Sequence, residues 1–398
     1  MSDDDTALGR VLARLLARSQ GAGPNEVSHL LREAALALGA TEARVYLADV
    51  QQRHLVPLPD PPGAPGPDPV DVGSTLGGRA YRYQEVQIST GTPAVGWFPL
   101  VDGIERIGVL RIEALTLGRE TVEAFEALAA LAALLVLSKA AYSDVIVRTT
   151  RREEMSLQAE LLWAFLPPRT IGTRDVTSSA VLEPAYDVGG DAFDHSMAGG
   201  RLHVSVFDAM GHDLASGGAS AVALAACRST RRAGGGLADI TRTIDRALAR
   251  WIPDRLLTAV VADLDTGTGD LAWVNCGHPP PLLIRDRHVV PDALRRHAEL
   301  PLGLGFHDGE QTVHHTRLQP GDRLLFYTDG VTEARSGAGE VFGEQRLTDT
   351  LVQHMAGGEP APEALRHLVH GLLAHQDHRL RDDATILLAE WHPDRSEP

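Results

Sequence analysis

Apolar residues at three- and four-residue steps open the chain: Leu8, Val11, Leu12, Leu15 and Leu16 lie on one face of a helix predicted from Thr6 to Arg18. A second helix is predicted from Glu26 to Leu38, where Asn25 can cap the first turn after Gly23-Pro24. The period then drops to two in Ala43 to Ala48, Gly96 to Val101 and Ile107 to Glu113, which read as strands, with a Pro/Gly loop from Asp60 to Pro69. Helices before and after such strands predict an α+β domain over residues 1–119. Between Glu120 and Leu166 there is neither Gly nor Pro, and Phe125, Leu128, Leu131, Leu135, Tyr142, Val145 and Thr149 recur near the heptad period. This predicts one long linker helix, residues 120–168, stopped by Pro167-Pro168 and pairing with a second copy as a short coiled coil, although Ser138 and Lys139 interrupt the seam.

Beyond residue 168 the pattern predicts a second domain, 169–398. Leu202, Val204 and Val206 alternate with His203 and Ser205, the signature of a half-buried strand, and that strand ends on Asp208. Arg323 to Thr328 likewise runs into Asp329, Asp382-Asp383 leads into the strand Thr385 to Ala389, and Asp191 follows the turn Gly189-Gly190. Further strands are expected near Ser178 to Leu182, Thr258 to Asp263, Leu271 to Asn275 and Pro281 to Arg285, with helices near Leu214 to Arg232, Leu237 to Trp251 and Pro362 to His375. Antiparallel strand pairs with helices grouped in runs predict a β-sandwich flanked by helices, with four carboxylate sites along one rim.

A length of 398 residues suits two domains, and a formal charge of −16 disfavours nucleic acid and anionic membrane surfaces as partners. Cys227 and Cys276 are the only cysteines and are far apart, so neither a disulfide framework nor a structural zinc site is indicated. The chain opens Met1-Ser2-Asp3-Asp4-Asp5 rather than on a basic-then-apolar leader, and the longest apolar run, around Ala127 to Leu137, is shorter than a bilayer span. A cytoplasmic protein is expected.

The N-terminal region, on its element order and the strand pair containing Phe98-Pro99-Leu100 and Ile107-Gly108-Val109-Leu110, resembles a GAF domain. That resemblance implies a sensory module, with helices behind an antiparallel sheet and a pocket on its other side. From about residue 155 to 392 the chain resembles the metal-dependent PPM (protein phosphatase 2C-like) serine/threonine phosphatases, in the branch of stage II sporulation protein E and the sigma-factor regulatory phosphatases. The matching blocks are Pro184-Ala185 through Gly189-Gly190-Asp191 with Phe193-Asp194, Asp208-Ala209-Met210-Gly211-His212, Asn275-Cys276-Gly277-His278-Pro279-Pro280-Pro281, Pro301-Leu302-Gly303-Leu304-Gly305, Gly321-Asp322 with Tyr327-Thr328-Asp329-Gly330-Val331-Thr332-Glu333-Ala334, and Asp382-Asp383-Ala384-Thr385.

The resemblance implies two divalent ions, Mn²⁺ or Mg²⁺. Asp208 would bridge them, the carbonyl of Ala209 would complete one site, Asp329 and Asp382 would hold the other, and Asp191 would bind directly or through water. Asp191, Asp208 and Asp329 would be the catalytic residues, and Asp383 competes with Asp382 for its role. Hard carboxylate oxygens without a Cys/His cluster favour these ions over zinc, and two such ions can activate a water against a phosphate ester. The resemblance also implies a phosphoserine on a STAS-type anti-sigma-factor antagonist as substrate, and control by the N-terminal domain. A hydrolase of small phosphoesters and a non-catalytic phosphoprotein-binding regulator are the alternatives. Asp213 stands where the family has glycine and reads either as an N-cap for the helix at Leu214 or as a change in metal or substrate affinity. Ala209 keeps the carbonyl ligand unless the backbone there needs positive φ. For His212 and His278, turn-stabilising hydrogen bonds by neutral imidazole are expected over proton donation, and for Asn275 and Cys276 packing over catalysis.

Overall fold

The computed structural model describes residues 3–60, 66–307, 309, 311–377, 380 and 382–393. The middle of the expected Asp60 to Pro69 loop, residues 61–65, lies outside them. The chain divides into two units, Met1–Glu154 and Met155–Pro398.

In the first unit α1 (Asp3–Gly21) and α2 (Val27–Ala37) precede β1 (Glu42–Ala48), β2 (His54–Pro57), β3 (Val70–Asp71), α3 (Leu76–Tyr83), β4 (Gln87–Ser89), β5 (Ala94–Asp102), β6 (Glu105–Ala114), α4 (Arg119–Ala140) and α5 (Asp144–Thr150). The strands form one antiparallel sheet in the order β3-β2-β1-β6-β5-β4. Its period of two sorts residues by face. Val45, Leu47, Phe98, Leu100, Leu110 and Ile112 pack with Leu30, Leu31, Phe125 and Leu128 from α2 and α4. On the other face Tyr46 and Val109 pack with Leu55, Val72, Ala80 and Tyr81 beneath α3.

The predicted single helix from Glu120 to Leu166 is a chain of three helices instead, the third being α6 (Leu157–Phe165). Two serines reset it: the Ser143 hydroxyl accepts from the Ile146 amide and the Ser156 hydroxyl from the Ala159 amide, each capping a new helix after a break. The proposed coiled-coil seam is also reassigned. Phe125 and Leu128 are wholly buried, and Leu135 nearly so, in the core of their own unit, because a helix laid on a sheet buries a stripe of nearly the same period as a dimer seam. By length and composition α4 is apolar enough to cross a membrane, longer than the Ala127 to Leu137 run suggested, but its inner face is this core.

The second unit continues with β7 (Thr170–Gly172), β8 (Val176–Glu183), β9 (Asp191–Ala198), β10 (Arg201–Ala209), α7 (Leu214–Arg232), α8 (Leu237–Trp251), β11 (Leu257–Asp265), β12 (Asp270–Cys276), β13 (Leu282–Arg285), β14 (His288–Val289), β15 (His314–Arg317), β16 (Arg323–Tyr327), α9 (Asp329–Thr332), α10 (Gly343–Ala356), α11 (Ala361–His375) and β17 (Ala384–Trp391). Two antiparallel sheets result, ordered β15-β12-β11-β10-β9 and β14-β13-β16-β17-β8-β7, the expected sandwich flanked by helices. Leu324, Phe326, Leu387 and Ala389 share a core with Val204 and Val206, whereas Leu325, Tyr327, Ile386 and Leu388 alternate into a second core with α10 and α11.

Strand β10 departs from the half-buried expectation, since His203 and Ser205 are buried as well. Helix α7 covers that face, so each polar group there has a partner. His203 bonds Asp263 through Nδ1 at 2.9 Å and meets the Cys227 thiol at 3.3 Å through Nε2. Burial pulls the His203 pKa down, but its bonds to Asp263 and Cys227 carry it up to about 9. Nearby, Asp194 on β9 accepts from Arg228 at 2.6 Å and from Arg231 at 3.0 Å, both on α7. Charge therefore ties this helix to the sheet at its C-terminal end.

Candidate metal centre

Strands β9 and β10 are joined at Gly199-Gly200, which both take positive φ, and the resulting register sets Asp191 directly opposite Asp208. Asp191 is therefore the first residue of a strand, not merely part of a turn. At the same end of the sandwich Asp329 begins α9, immediately after β16, and Asp382 and Asp383 immediately precede β17. Sequence positions spread over almost 200 residues thus meet, and the electrostatic influence of Asp329, Asp382 and Asp383 is felt at Asp208.

The local backbone explains the glycines. A Cβ on Gly189 would lie 2.5 Å from the Cα of His212, one on Gly190 2.4 Å from the Ala209 carbonyl oxygen, and one on Gly330 1.9 Å from the Asp383 carbonyl oxygen. The Asp191, Asp208, Asp329 and Asp383 segments approach one another closely only because these residues lack side chains. Gly211 carries the positive φ of the loop after β10, and Ala209 does not require it.

The adjacent pair Asp382-Asp383 divides its duties. Asp383 is buried, and its Oδ2 accepts from the amides of Gly189, Gly190 and Asp191 at 2.9, 2.6 and 3.2 Å. Asp382 is exposed. Asp191, only 2% exposed, accepts through Oδ2 from the hydroxyls of Thr328 and Thr385, both at 2.7 Å. Nothing in the sequence pattern singles out Thr328 or Thr385, although they stand beside Asp329 and two residues after Asp383.

Burial and mutual repulsion push these carboxyls the same way. Burial first, then the charges of Asp329, Asp382 and Asp383, raises the Asp208 pKa to about 7. Burial with Asp208 and Asp383 holds Asp191 well above the carboxylate range, and burial with Glu333 and Asp382 raises Asp329. Burial raises Asp383 against the lowering effect of its three amide donors. Such a group of like charges at strand ends, all oxygen donors, is the ligand set for which a hard divalent cation relieves repulsion.

Asp213 is the N-cap of α7: its Oδ1 accepts from the Ser216 amide at 2.9 Å, and its Oδ2 from Arg255 at 2.5 Å. The Ser216 bonds, then Arg255, lower its pKa to about 2. Arg255 also donates to the Met210 carbonyl at 3.1 Å, so it braces the loop that follows Asp208; no motif in the sequence pointed to it. His212 is exposed. His278 is buried, with Nδ1 2.8 Å from the Thr258 hydroxyl, and burial lowers its pKa to about 3, which keeps the ring neutral. The Asn275 side chain brackets that turn, donating to the His278 carbonyl and accepting its amide, both at 2.8 Å, and Cys276 is buried.

Comparison with known proteins gives one family match: residues 198–392 fit the model of the stage II sporulation protein E family, a range that contains Asp208, Asp329, Asp382 and Asp383 and begins after Asp191. The chain is 29% identical over 128 residues to Protein IcfG of Synechocystis sp., covering 32% of this chain and 19% of that protein. It is 21% identical over 239 residues to the phosphoserine phosphatase RsbU of Bacillus subtilis, covering 60% of this chain and 70% of that one. The chain thus spans about a fifth of the first relative. Among solved structures, the RsbU and RsbW domains of Rv1364c from Mycobacterium tuberculosis are similar with a TM-score of 0.45 and 25% identity, over 54% of this chain and 61% of that chain.

Proposed function

We propose that this chain is a metal-dependent protein serine/threonine phosphatase, because residues 198–392 match the stage II sporulation protein E family. The observation that carries the reading is the convergence of Asp208, Asp329 and Asp382 from three separate chain segments on one edge of the sandwich, with Asp208 raised to about 7 by burial and by its neighbours' charge. Two divalent ions, Mn²⁺ or Mg²⁺, suit this donor set, and Asp208, the Ala209 carbonyl, Asp329 and Asp382 would hold them. Bound there, they would supply an activated water and offset negative charge on the phosphoryl group.

The protein's own residues do the positioning. Thr328 and Thr385 fix the Asp191 carboxyl beside its strand partner Asp208. Asp383 is consumed in holding the Gly189-Gly190 turn, which supports Asp382 as the ligand of the pair. The Asp213 cap and Arg255 fix the loop leaving Asp208, so the departure from glycine at that position is used structurally.

The substrate we infer is a phosphoserine on a STAS-type anti-sigma-factor antagonist, in line with the similarity to a phosphoserine phosphatase. In this reading the first unit is a GAF-like sensory module that controls the second, the protein is cytoplasmic, and it forms a homodimer. The α4 side chains available to a second copy are the exposed Leu134 and Leu137, not the buried Leu128. The purified full chain should release phosphate from a phosphoserine substrate with Mn²⁺ or Mg²⁺ and stop when EDTA is added. Undiminished turnover in EDTA would defeat the metal mechanism, and faster turnover of p-nitrophenyl phosphate than of any phosphoserine protein would move the substrate to small esters.

A further inference from the structure

Helices α10 and α11 form a hairpin joined by Gly357-Gly358-Glu359-Pro360. His354 in the last turn of α10, Glu359 in the link and His367 on α11 meet there, each offering a ligand atom within 4.8 Å of the others. Nδ1 of His354 is 3.0 Å from Glu359 Oε2, and Nε2 of His367 is 3.7 Å from Glu359 Oε1 and 3.2 Å from Glu363 Oε1. None of these groups belongs to the carboxylate cluster of the strand ends.

We propose that His354, Glu359 and His367 form a second metal site, for a borderline transition ion of the Zn²⁺ class, with solvent as the fourth ligand. The first argument is metric. Zinc bonds to nitrogen and oxygen of about 2.0–2.2 Å place tetrahedral ligand atoms about 3.3–3.6 Å apart, and ligand atoms of His354, Glu359 and His367 already lie within 4.8 Å of one another, close enough for a ring rotation to bring them to that spacing. The second is chemical. Two imidazoles with carboxylate select zinc, nickel or cobalt over Mg²⁺ and Mn²⁺, the reverse of the all-oxygen set at Asp208.

Loading the site needs one rearrangement. The His354 and His367 rings stack 4.3 Å apart at an interplanar angle of 2°. A metal lies in the plane of each imidazole it binds, so loading requires one ring to turn out of the stack. Both side chains are 29% exposed, so solvent reaches them for that turn and for the incoming ion. Glu363 is fully buried and held by Arg366 at 2.8 and 2.9 Å, and its 3.2 Å contact supports the His367 ring from behind. The role is a clip that fastens α10 to α11 over the outer core.

The test uses the full chain carrying Asp208→Asn, which weakens the carboxylate cluster as a competing site. After chelation and buffer exchange, Co²⁺ is expected to give the intense visible absorption of four-coordinate cobalt, and Zn²⁺ to displace it at one ion per chain and raise the melting temperature. Adding His354→Ala or Glu359→Ala should lower Zn²⁺ affinity about tenfold or more. The metal-free melting temperature of these half-exposed variants should stay near that of the Asp208→Asn parent, which establishes that they fold. A six-coordinate cobalt spectrum, or equal Zn²⁺ affinity with and without His354 and Glu359, would overturn the site and leave the cluster as an ion-paired hairpin.

Discussion

Asp382 and Asp383 are identical, adjacent residues, and the structure predicts opposite consequences for removing each. In Asp383→Ala the amides of Gly189, Gly190 and Asp191 lose a shared acceptor at 2.6–3.2 Å in a buried turn. A hydrogen bond to a charged group contributes about 1.5–3 kcal/mol, and an orphaned buried donor costs about 1–3 kcal/mol. Part of that loss is returned, because burial already disfavours the Asp383 charge. A net destabilisation of about 2–4 kcal/mol follows, which for a unit of this size lowers the melting temperature by roughly 4–16 °C. Asp382→Ala removes an exposed like charge that raises the pKa values of Asp208, Asp329 and Asp383, so the metal-free protein should be as stable as wild type or slightly more so. Its loss should appear in the Mn²⁺ concentration needed for activity. Urea unfolding in EDTA and Mn²⁺ titration of phosphatase rate measure the two effects separately. If Asp382→Ala destabilised the metal-free chain as much as Asp383→Ala, or Asp383→Ala melted like wild type, the division of labour would be wrong.

Asp208→Asn should abolish nearly all Mn²⁺-dependent turnover while stabilising the metal-free chain near neutral pH, since it removes a charge that its neighbours repel; phosphate release and urea unfolding in EDTA check the two halves. His195 is buried, bonded to Ser178 and the Pro168 carbonyl, and burial lowers its pKa from 6.5 to about 4. Its neutral form is the folded form, so stability is present above pH 6.5 and is lost as pH falls from there towards 4, by up to about 3 kcal/mol at 1.36 kcal/mol per unit. Urea unfolding of wild type and His195→Gln between pH 8 and 4.5 should show a weaker pH dependence in the variant. Leu128→Glu should unfold the first unit, whereas Leu134→Glu, at a position 56% exposed, should leave it folded and weaken only self-association; circular dichroism and sedimentation separate the outcomes.

The strand-end aspartates were legible because a run of alternating apolar residues fixes where a strand lies, and an aspartate at its end then has a known place. Asp208 and Asp329 emerge that way. Asp382 and Asp383 could not be ranked from such a pattern, because what separates them is the trio of amides from residues 189–191, far away in sequence. The long helix misled for a related reason. Ser143 and Ser156 are weak breaks in sequence and become caps only where the chain turns, and the Phe125–Leu135 stripe looks the same whether it faces a sheet or a second copy. His203 and Ser205 look like a solvent face in the alternating pattern because their partners Asp263 and Cys227 sit on other elements. Arg255 is one arginine among many until the fold sets it against Met210 and Asp213.

Helix α7 is pinned at both ends, at its start by the Asp213 cap and Arg255 and near its finish by the Asp194 bonds to Arg228 and Arg231. At 1.5 Å per residue its 19 residues span about 28 Å, so it acts as a rigid strut across the sheet. Only Met210, Gly211 and His212 lie between Ala209 and the Asp213 cap, and that tether has little slack to absorb an error in the strut's position. The placing of Asp208 is therefore dimensioned from the far end of the helix: a one-residue insertion before Arg228 would turn the helix by about 100°, move both arginines off Asp194, and force the misfit back into the loop that follows Asp208.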